Sequence, residues 1–227
     1  MTVTSGQHSD LSQLLVFYGG TFDPIHNGHI NIALAAMQCM DAHSIYLLPC
    51  FVPPHKKMPS ASVEHRLNML KIACESHPSL KVDERELRRR QTSYTYHSAT
   101  EIRSENSATI SIIWLIGSDS LQNLASWYQW QQIFNFINFA VLNRPGYIGI
   151  NDFRVEEELQ HRWIGAGDLR RHAHGKIAML DTPHYDISSQ NIRDKIVGGA
   201  SIEDDVPVGI GRYIEKHGLY RNLTRGE

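Results

Sequence analysis

A chain of 227 residues, 41% apolar and with a formal net charge of −2, is long enough for one sizeable domain with a real core. Its charge balance calls for neither nucleic acid nor a membrane surface, and its longest apolar runs are strand-length, too short to cross a bilayer. Residues 1–10 lack the basic start and apolar stretch of a signal peptide, and Cys39, Cys50 and Cys74 form no Cys-x-x-Cys pair, as expected of a reduced, cytoplasmic protein.

After an extension over 1–13, the apolar run 14–18 reads as a buried strand. It leads through Gly19-Gly20-Thr21-Phe22-Asp23-Pro24-Ile25-His26-Asn27-Gly28-His29 into a helix whose Ile30, Ala33, Leu34 and Met37 recur on one face. Residues 45–49 are a second strand, stopped by Pro49. The loop Val52-Pro53-Pro54-His55-Lys56-Lys57 then exposes basic groups on a stiff backbone. Val63, Leu67, Leu70 and Cys74 mark the next helix, 80–82 a short strand, and about 94–103 another helix. Between the last two, Arg88-Arg89-Arg90 sits in a Glu/Arg mixture and reads as a solvated face.

The strongest strand signal is 109–116, a run expected at the centre of a sheet covered on both faces. It ends at Gly117-Ser118-Asp119-Ser120, and the strand at 136–142 ends at Asn143-Arg144-Pro145-Gly146. Residues 147–175 are glycine-rich and charged without clear periodicity and read as a variable insert. Its His161, His172 and His174 fit surface histidines better than a metal site. A last strand at 176–180 precedes helices from Ser189 and from about Pro207.

Strands alternating with helices predict a doubly wound α/β fold with a mostly parallel sheet, forming one domain over 14–227 with a small helical part from about 186. Ligands of such sheets bind beyond the carboxyl ends of the strands. Gly19 and Gly20, Pro53 to Lys57, Gly117 to Asp119, Arg144, and Ile187 to Arg193 all follow predicted strands and so converge on one face.

The run from Gly19 to His29 has the chemistry of an anion site. Glycines let backbone N–H groups approach a phosphate, and the helix starting near Asn27 adds its N-terminal partial charge. His26 and His29, three apart, share one side of a turn. A helix cap with incidental histidines and a zinc site are the alternatives, although no third ligand accompanies the pair at convincing spacing. The second motif is Ile187-Ser188-Ser189-Gln190-Asn191-Ile192-Arg193. Ser188 or Ser189 can cap a helix with Arg193 one turn further in, which makes a second phosphate site; alone, a capped surface helix would explain it as well. Trp127, after Ala125-Ser126, sits in a setting that suits a loop better than a core.

Together the two motifs closely resemble the signatures of the nucleotidylyltransferase superfamily. Within it the chain resembles the bacterial nicotinate-mononucleotide adenylyltransferases from about 15 to 220. The likeness extends through Val52-Pro53-Pro54-His55-Lys56, Asp83-Glu84-Arg85-Glu86-Leu87, Ser93-Tyr94-Thr95, Gly117-Ser118-Asp119-Ser120-Leu121, Trp127-Tyr128, Arg144-Pro145-Gly146-Tyr147 and Gly218-Leu219-Tyr220.

The resemblance implies a Rossmann-like fold joining ATP to nicotinate mononucleotide, with Mg²⁺ carried by the phosphates, and neither nucleic acid nor membrane as partner. It implies that His26 and His29 contact the ATP phosphates, His29 at the reacting α-phosphate. Arg193 and the backbone at Ser188 and Ser189 would hold the β- and γ-phosphates, with Gly19, Gly20, Thr21, Phe22, Gly117 and Ile187 completing the ATP site. Asp119 would accept ribose hydroxyls, a helix cap being its plainer reading. Trp127 would stack on the pyridinium ring, and the N–H groups of Thr95 and Tyr128 would bind its carboxylate. Arg144, His55 and Lys56 would serve phosphates. Gln190 stands where relatives often carry threonine. Other acceptors, nicotinamide mononucleotide or pantetheine phosphate, and a non-catalytic nucleotide-binding regulator are the alternative readings.

Overall fold

Six strands form a single sheet in the computed structural model, which describes residues 14–54, 58–143, 149–221 and 223. The elements run β1 (Leu14–Gly20), α1 (Asn27–Met40), β2 (Ile45–Pro49), α2 (Val63–Glu75), β3 (Leu80–Val82), α3 (Arg85–Arg89), α4 (Thr95–Glu105), β4 (Ser111–Gly117), α5 (Ser118–Gln122), α6 (Trp130–Ile133), β5 (Asn138–Leu142), α7 (Phe153–Leu159), β6 (Ile177–Leu180), α8 (Ser189–Val197) and α9 (Ile210–Lys216). The order across the sheet is β3-β2-β1-β4-β5-β6, and every pairing is parallel. The chain therefore winds outward from β1 in one direction and from β4 in the other, with the switch point between them.

Strand alternation divides the core in two. Val16 and Tyr18 of β1, with Ile113 and Leu115 of β4, face α1, α2, α8 and α9. Phe17, with Ile112, Trp114 and Ile116, faces α4, α5, α6 and α7. All seven residues of β4 are buried, because a parallel strand covered on both faces has no solvent side. Ile192, Ile210 and Ile214 bring α8 and α9 into the first cluster. None of the described helices is long and apolar enough to cross a membrane.

Three expectations are corrected. The strands expected at 109–116 and 136–142 begin later, at Ser111 and Asn138. The carbonyls of Ile110 and Phe136 instead accept from the Arg103 guanidinium at 2.9–3.0 Å, a cation clamping the mouths of two strands. The described part of the expected insert, 149–175, is not a loose excursion. Val155 and Leu159 of α7, and Leu169 in a 3-10 turn over Ala166–Arg171, are buried in the two clusters. A buried polar bridge holds this segment down: Asn138 Nδ2 donates to the His172 carbonyl at 2.6 Å, and Ser111 Oγ to that of Leu169 at 2.9 Å. Within the arginine triple, Arg88 and Arg90 are exposed, but Arg89 is partly buried and donates to Glu101 and Ser98.

Candidate active site

A cleft of about 880 Å³ opens where β1, β2 and β4 end, at the switch point. Gly19, Gly20, Thr21, Phe22, His29, Gly117, Asp119, Thr95, Trp127, Tyr128, Ser189 and Arg193 all line it. His55, Lys56 and Arg144, as well as the 1–13 extension, lie outside the described residues.

Local packing explains the glycines of the first motif. Phe22 folds back with φ +50°, and a Cβ at Gly20 would stand 2.8 Å from its ring. The same ring packs edge-on against His29 at 5.1 Å. A Cβ at Gly28 would lie 3.0 Å from His26 Nδ1 and near the Ile187 side chain. Gly28 thus leaves room for both the ring of one histidine and the second motif.

His26 is the N-cap of α1, and the two histidines form a reciprocal capping box. His26 Nδ1 accepts from the His29 amide and His29 Nδ1 from the His26 amide, both at 3.3 Å, and the rings stack 3.6 Å apart. Because each neutral ring accepts at Nδ1, its proton resides on Nε2, which becomes the donor. The cap reading and the phosphate reading are therefore compatible. The pair differs in position, however: His29 lines the cleft, whereas His26 is 5% exposed and lies behind it. Among the described residues no group of three His, Cys, Asp or Glu side chains could hold a metal ion.

The second motif is bolted onto the backbone of the first. Ser188 caps α8, accepting from the Asn191 amide at 3.1 Å. Ser189 Oγ donates to the Pro24 carbonyl at 2.9 Å, and Arg193 Nη1 to the Asp23 carbonyl at 2.7 Å. Gln190 lines the cleft, accepting from Arg193 through Oε1 and donating to Asp194. Ile187 and Ser188 stand outside the cleft lining, Ile187 packing beneath Gly28.

On the opposite wall, α4 begins at Thr95 and its N-cap, Tyr94, contributes no side-chain cap. The first amides of α4 therefore have no side-chain capping oxygen, and Tyr94 and Thr95 line the cleft. Ser93 Oγ accepts from the Phe51 amide at 2.8 Å, tying this helix start to the loop after β2. Glu86 is buried beneath it and accepts from Ser98 Oγ at 2.6 Å. Burial pushes the Glu86 carboxyl above the usual range, against the pull of the Ser93 and Ser98 hydroxyls and Arg89. Trp127 is half-buried and lines the cleft, with its ring edge-on to Phe139 at 6.2 Å, so it belongs to the core and to the site at once. Tyr128 is exposed beside Tyr94, Tyr96 and His97. Asp119 is exposed in the first turn of α5, whose N-cap is Gly117, so it is not the cap.

Sequence reasoning passed over two buried groups that shape this site. Asp23 presents a buried carboxylate to the cleft wall. Arg66 of α2, 1% exposed, donates to the carbonyls of Thr21 at 2.8 Å and Phe51 at 3.3 Å, pinning the loops after β1 and β2 to one guanidinium. The apolar stripe of α2 hid Arg66, since period alone does not mark a buried cation.

A family model described as cytidylyltransferase-like matches residues 17–195. A Saccharophagus degradans protein named probable nicotinate-nucleotide adenylyltransferase is 39% identical over 210 residues, spanning 90% of this chain and 95% of its own. One of the same name from Serratia proteamaculans is 39% identical over 217 residues, 93% and 97% of the two chains. Among solved structures, Plasmodium falciparum nicotinic acid mononucleotide adenylyltransferase complexed with NaAD superposes with a TM-score of 0.68, covering 92% of this chain and 97% of that one. At 18% identity this likeness speaks for the fold.

Proposed function

The chain belongs to the nicotinate-nucleotide adenylyltransferases among the cytidylyltransferase-like proteins, and from that premise we propose how its cleft works. The enzyme transfers AMP from ATP to nicotinate mononucleotide, giving nicotinate adenine dinucleotide and pyrophosphate, a step of NAD biosynthesis. The observation that carries the reading is the junction of the two motifs, which brings Arg193, Ser189 and His29 into the lining of one cleft at the switch point.

The nucleophile is a phosphate oxygen of the mononucleotide, anionic near neutral pH, so no general base is required. Catalysis consists of holding that oxygen in line with the α-phosphorus and stabilising charge as pyrophosphate departs. His29 donates from Nε2 to the α-phosphate, a role its Nδ1 bond prepares. His26 holds the His29 amide and ring in place from behind. Arg193 and the start of α8 hold the β- and γ-phosphates, with the backbone of 19–22 along the triphosphate and Asp119 on a ribose. Mg²⁺, when bound with the triphosphate, supplies further charge neutralisation. The described donor set suits an ion carried by phosphate oxygens rather than by a protein cage.

At the acceptor end, Trp127 stacks on the pyridinium, and the amides of Thr95 and Tyr128 bind its carboxylate. Two N–H donors discriminate against an amide, whose NH₂ would face them. His55, Lys56 and Arg144 are proposed for phosphate contacts. Three free cysteines support a reduced, cytoplasmic setting.

Pyrophosphate release from ATP with nicotinate mononucleotide, nicotinamide mononucleotide or pantetheine phosphate tests the proposal. The nicotinate compound should exceed its amide in kcat/KM by at least about a hundredfold, with pantetheine phosphate inert. Turnover of another acceptor with none of nicotinate mononucleotide would refute it.

A further inference from the structure

The mechanism above leaves the Asp23 carboxylate without a task, although it is 4% exposed and sits in the wall of the cleft. Three segments converge on this residue, two of them on its carboxylate. Oδ2 accepts from the Ser60 amide at 2.6 Å. Oδ1 accepts from the Ala61 amide at 3.0 Å and from the Tyr220 hydroxyl at 2.8 Å. The carbonyl of the same residue takes the Arg193 guanidinium. Asp23 is thus a junction between the first motif, the segment entering α2, the second motif, and the stretch beyond α9.

Tyr220 is unusual at that junction. It is 6% exposed and has φ +67°, a backbone region that a non-glycine residue holds only where its surroundings compensate. Burial first, and the Asp23 carboxylate second, push its phenol far above the ordinary range, so the group stays a hydroxyl donor. Arg193 and Arg66 are near enough to act on it electrostatically. The elements therefore bring one anion, two cations and one neutral donor together at the cleft wall.

We propose that Tyr220 is a positioning residue for the triphosphate, acting through Asp23 to keep the Arg193 guanidinium directed at ATP. A buried carboxylate short of donors recruits a nearby cation, and Arg193 is at hand, already bonded to the carbonyl of the same residue. With the Tyr220 hydroxyl and two amides in place, the carboxylate is satisfied without drawing the guanidinium from the cleft. The hydroxyl also fixes the peptide whose carbonyl orients Arg193. The inference rests on the assignment of Arg193 to the phosphates of ATP made above.

Tyr220→Phe removes the donor and keeps the ring. Its ATP affinity, titrated without the second substrate and well below the melting midpoint, should weaken about tenfold. The KM for ATP should rise in step, with that for nicotinate mononucleotide within about twofold of the parent. Tyr220→4-aminophenylalanine, which restores a donor, should recover most of the loss. Tyr213→Phe is the structural control: it strips α9 of its bonds to His65 and Asn68 and should lower the melting midpoint with ATP affinity intact. Parental ATP affinity in Tyr220→Phe, equal weakening by Tyr213→Phe, or failure of the amino variant to recover would each overturn the proposal. A parent that binds ATP in this Tyr220-dependent way yet turns over no nicotinate mononucleotide would sink the acceptor assignment and leave this one standing.

Discussion

Each of His26 and His29 turns one ring nitrogen to the backbone of α1 and thereby settles where its proton sits. The two side chains are coupled but unequal, because one faces the cleft and the other supports it. His29→Ala should lower kcat by about two to three orders of magnitude with a near-parental melting curve. His26→Ala removes the cap and should destabilise the fold by about 1 kcal/mol in urea titrations, with a smaller kcat loss than His29→Ala. An equal kcat loss in both would dissolve the division of labour. Glu86 offers a pH-dependent check. Its carboxyl is raised in the folded state, so the fold binds that proton more tightly than the unfolded chain does. The resulting stabilisation is fully present below the unfolded value and is lost as pH rises through the folded one. Relative to Glu86→Gln, the parent should therefore gain stability as pH falls through the raised folded value toward the ordinary carboxylate range in paired melting curves. A difference that stays flat would contradict the assignment. Residue types carried much of this into view, since Gly-Gly, the histidine pair and Ser-Ser-x-x-x-Arg are local patterns. The bond from Tyr220 to Asp23, across 197 positions, leaves no trace in local spacing, and neither does burial of Arg66 or Glu86.

At the level of elements, the site depends on how helices are tied to strand ends. Arg103 of α4 donates to the carbonyls of Ser107, Ile110, Phe136 and Ala173, fastening the starts of β4 and β5 and the approach to β6. Burial lowers its pKa from the usual value, yet it is the common donor to four carbonyls. Arg103→Met should cost about 2–4 kcal/mol in chemical denaturation, with parental KM values for whatever remains folded at low temperature. A neutral result would mean that water replaces the guanidinium at those carbonyls. The strands and long helices were legible because their apolar periods run for several residues. α7 was not, since Phe153–Leu159 is two turns long and only Val155 and Leu159 reach the core. The late starts of β4 and β5 were equally hidden, because a side-chain donor from α4 sets them rather than anything in the strands.

For the molecule as a whole, the sheet order places the mouths of β1 and β4 side by side. One cleft can then draw on both halves of the chain's winding, taking 19–22, His29 and Thr95 from the first and Trp127, Tyr128, Ser189 and Arg193 from the second. The alternation of strands and helices was enough to anticipate this convergence, because ligand position in a doubly wound sheet follows from topology. If the ion travels with the nucleotide, a chelator should abolish transfer yet leave the melting midpoint of the ligand-free protein unchanged. A midpoint that fell on chelation would instead indicate a structural metal. ATP at about a hundred times its Kd should add about 2.7 kcal/mol to unfolding.

The central pairing of β1 with β4 also bears on how the chain reaches this state. Leu14 is registered against Ser111, nearly half the sequence away, so the middle of the sheet closes only through a long-range contact, which is slow to form. Until then β1 has β2 on one flank and an open, apolar edge on the other. A chain interrupted before β4 would keep that edge, the kind of surface that recruits strands from other molecules. The architecture that creates a shared cleft in the finished enzyme makes its early half prone to aggregation, so a fragment of residues 14–105 should be recovered as insoluble material.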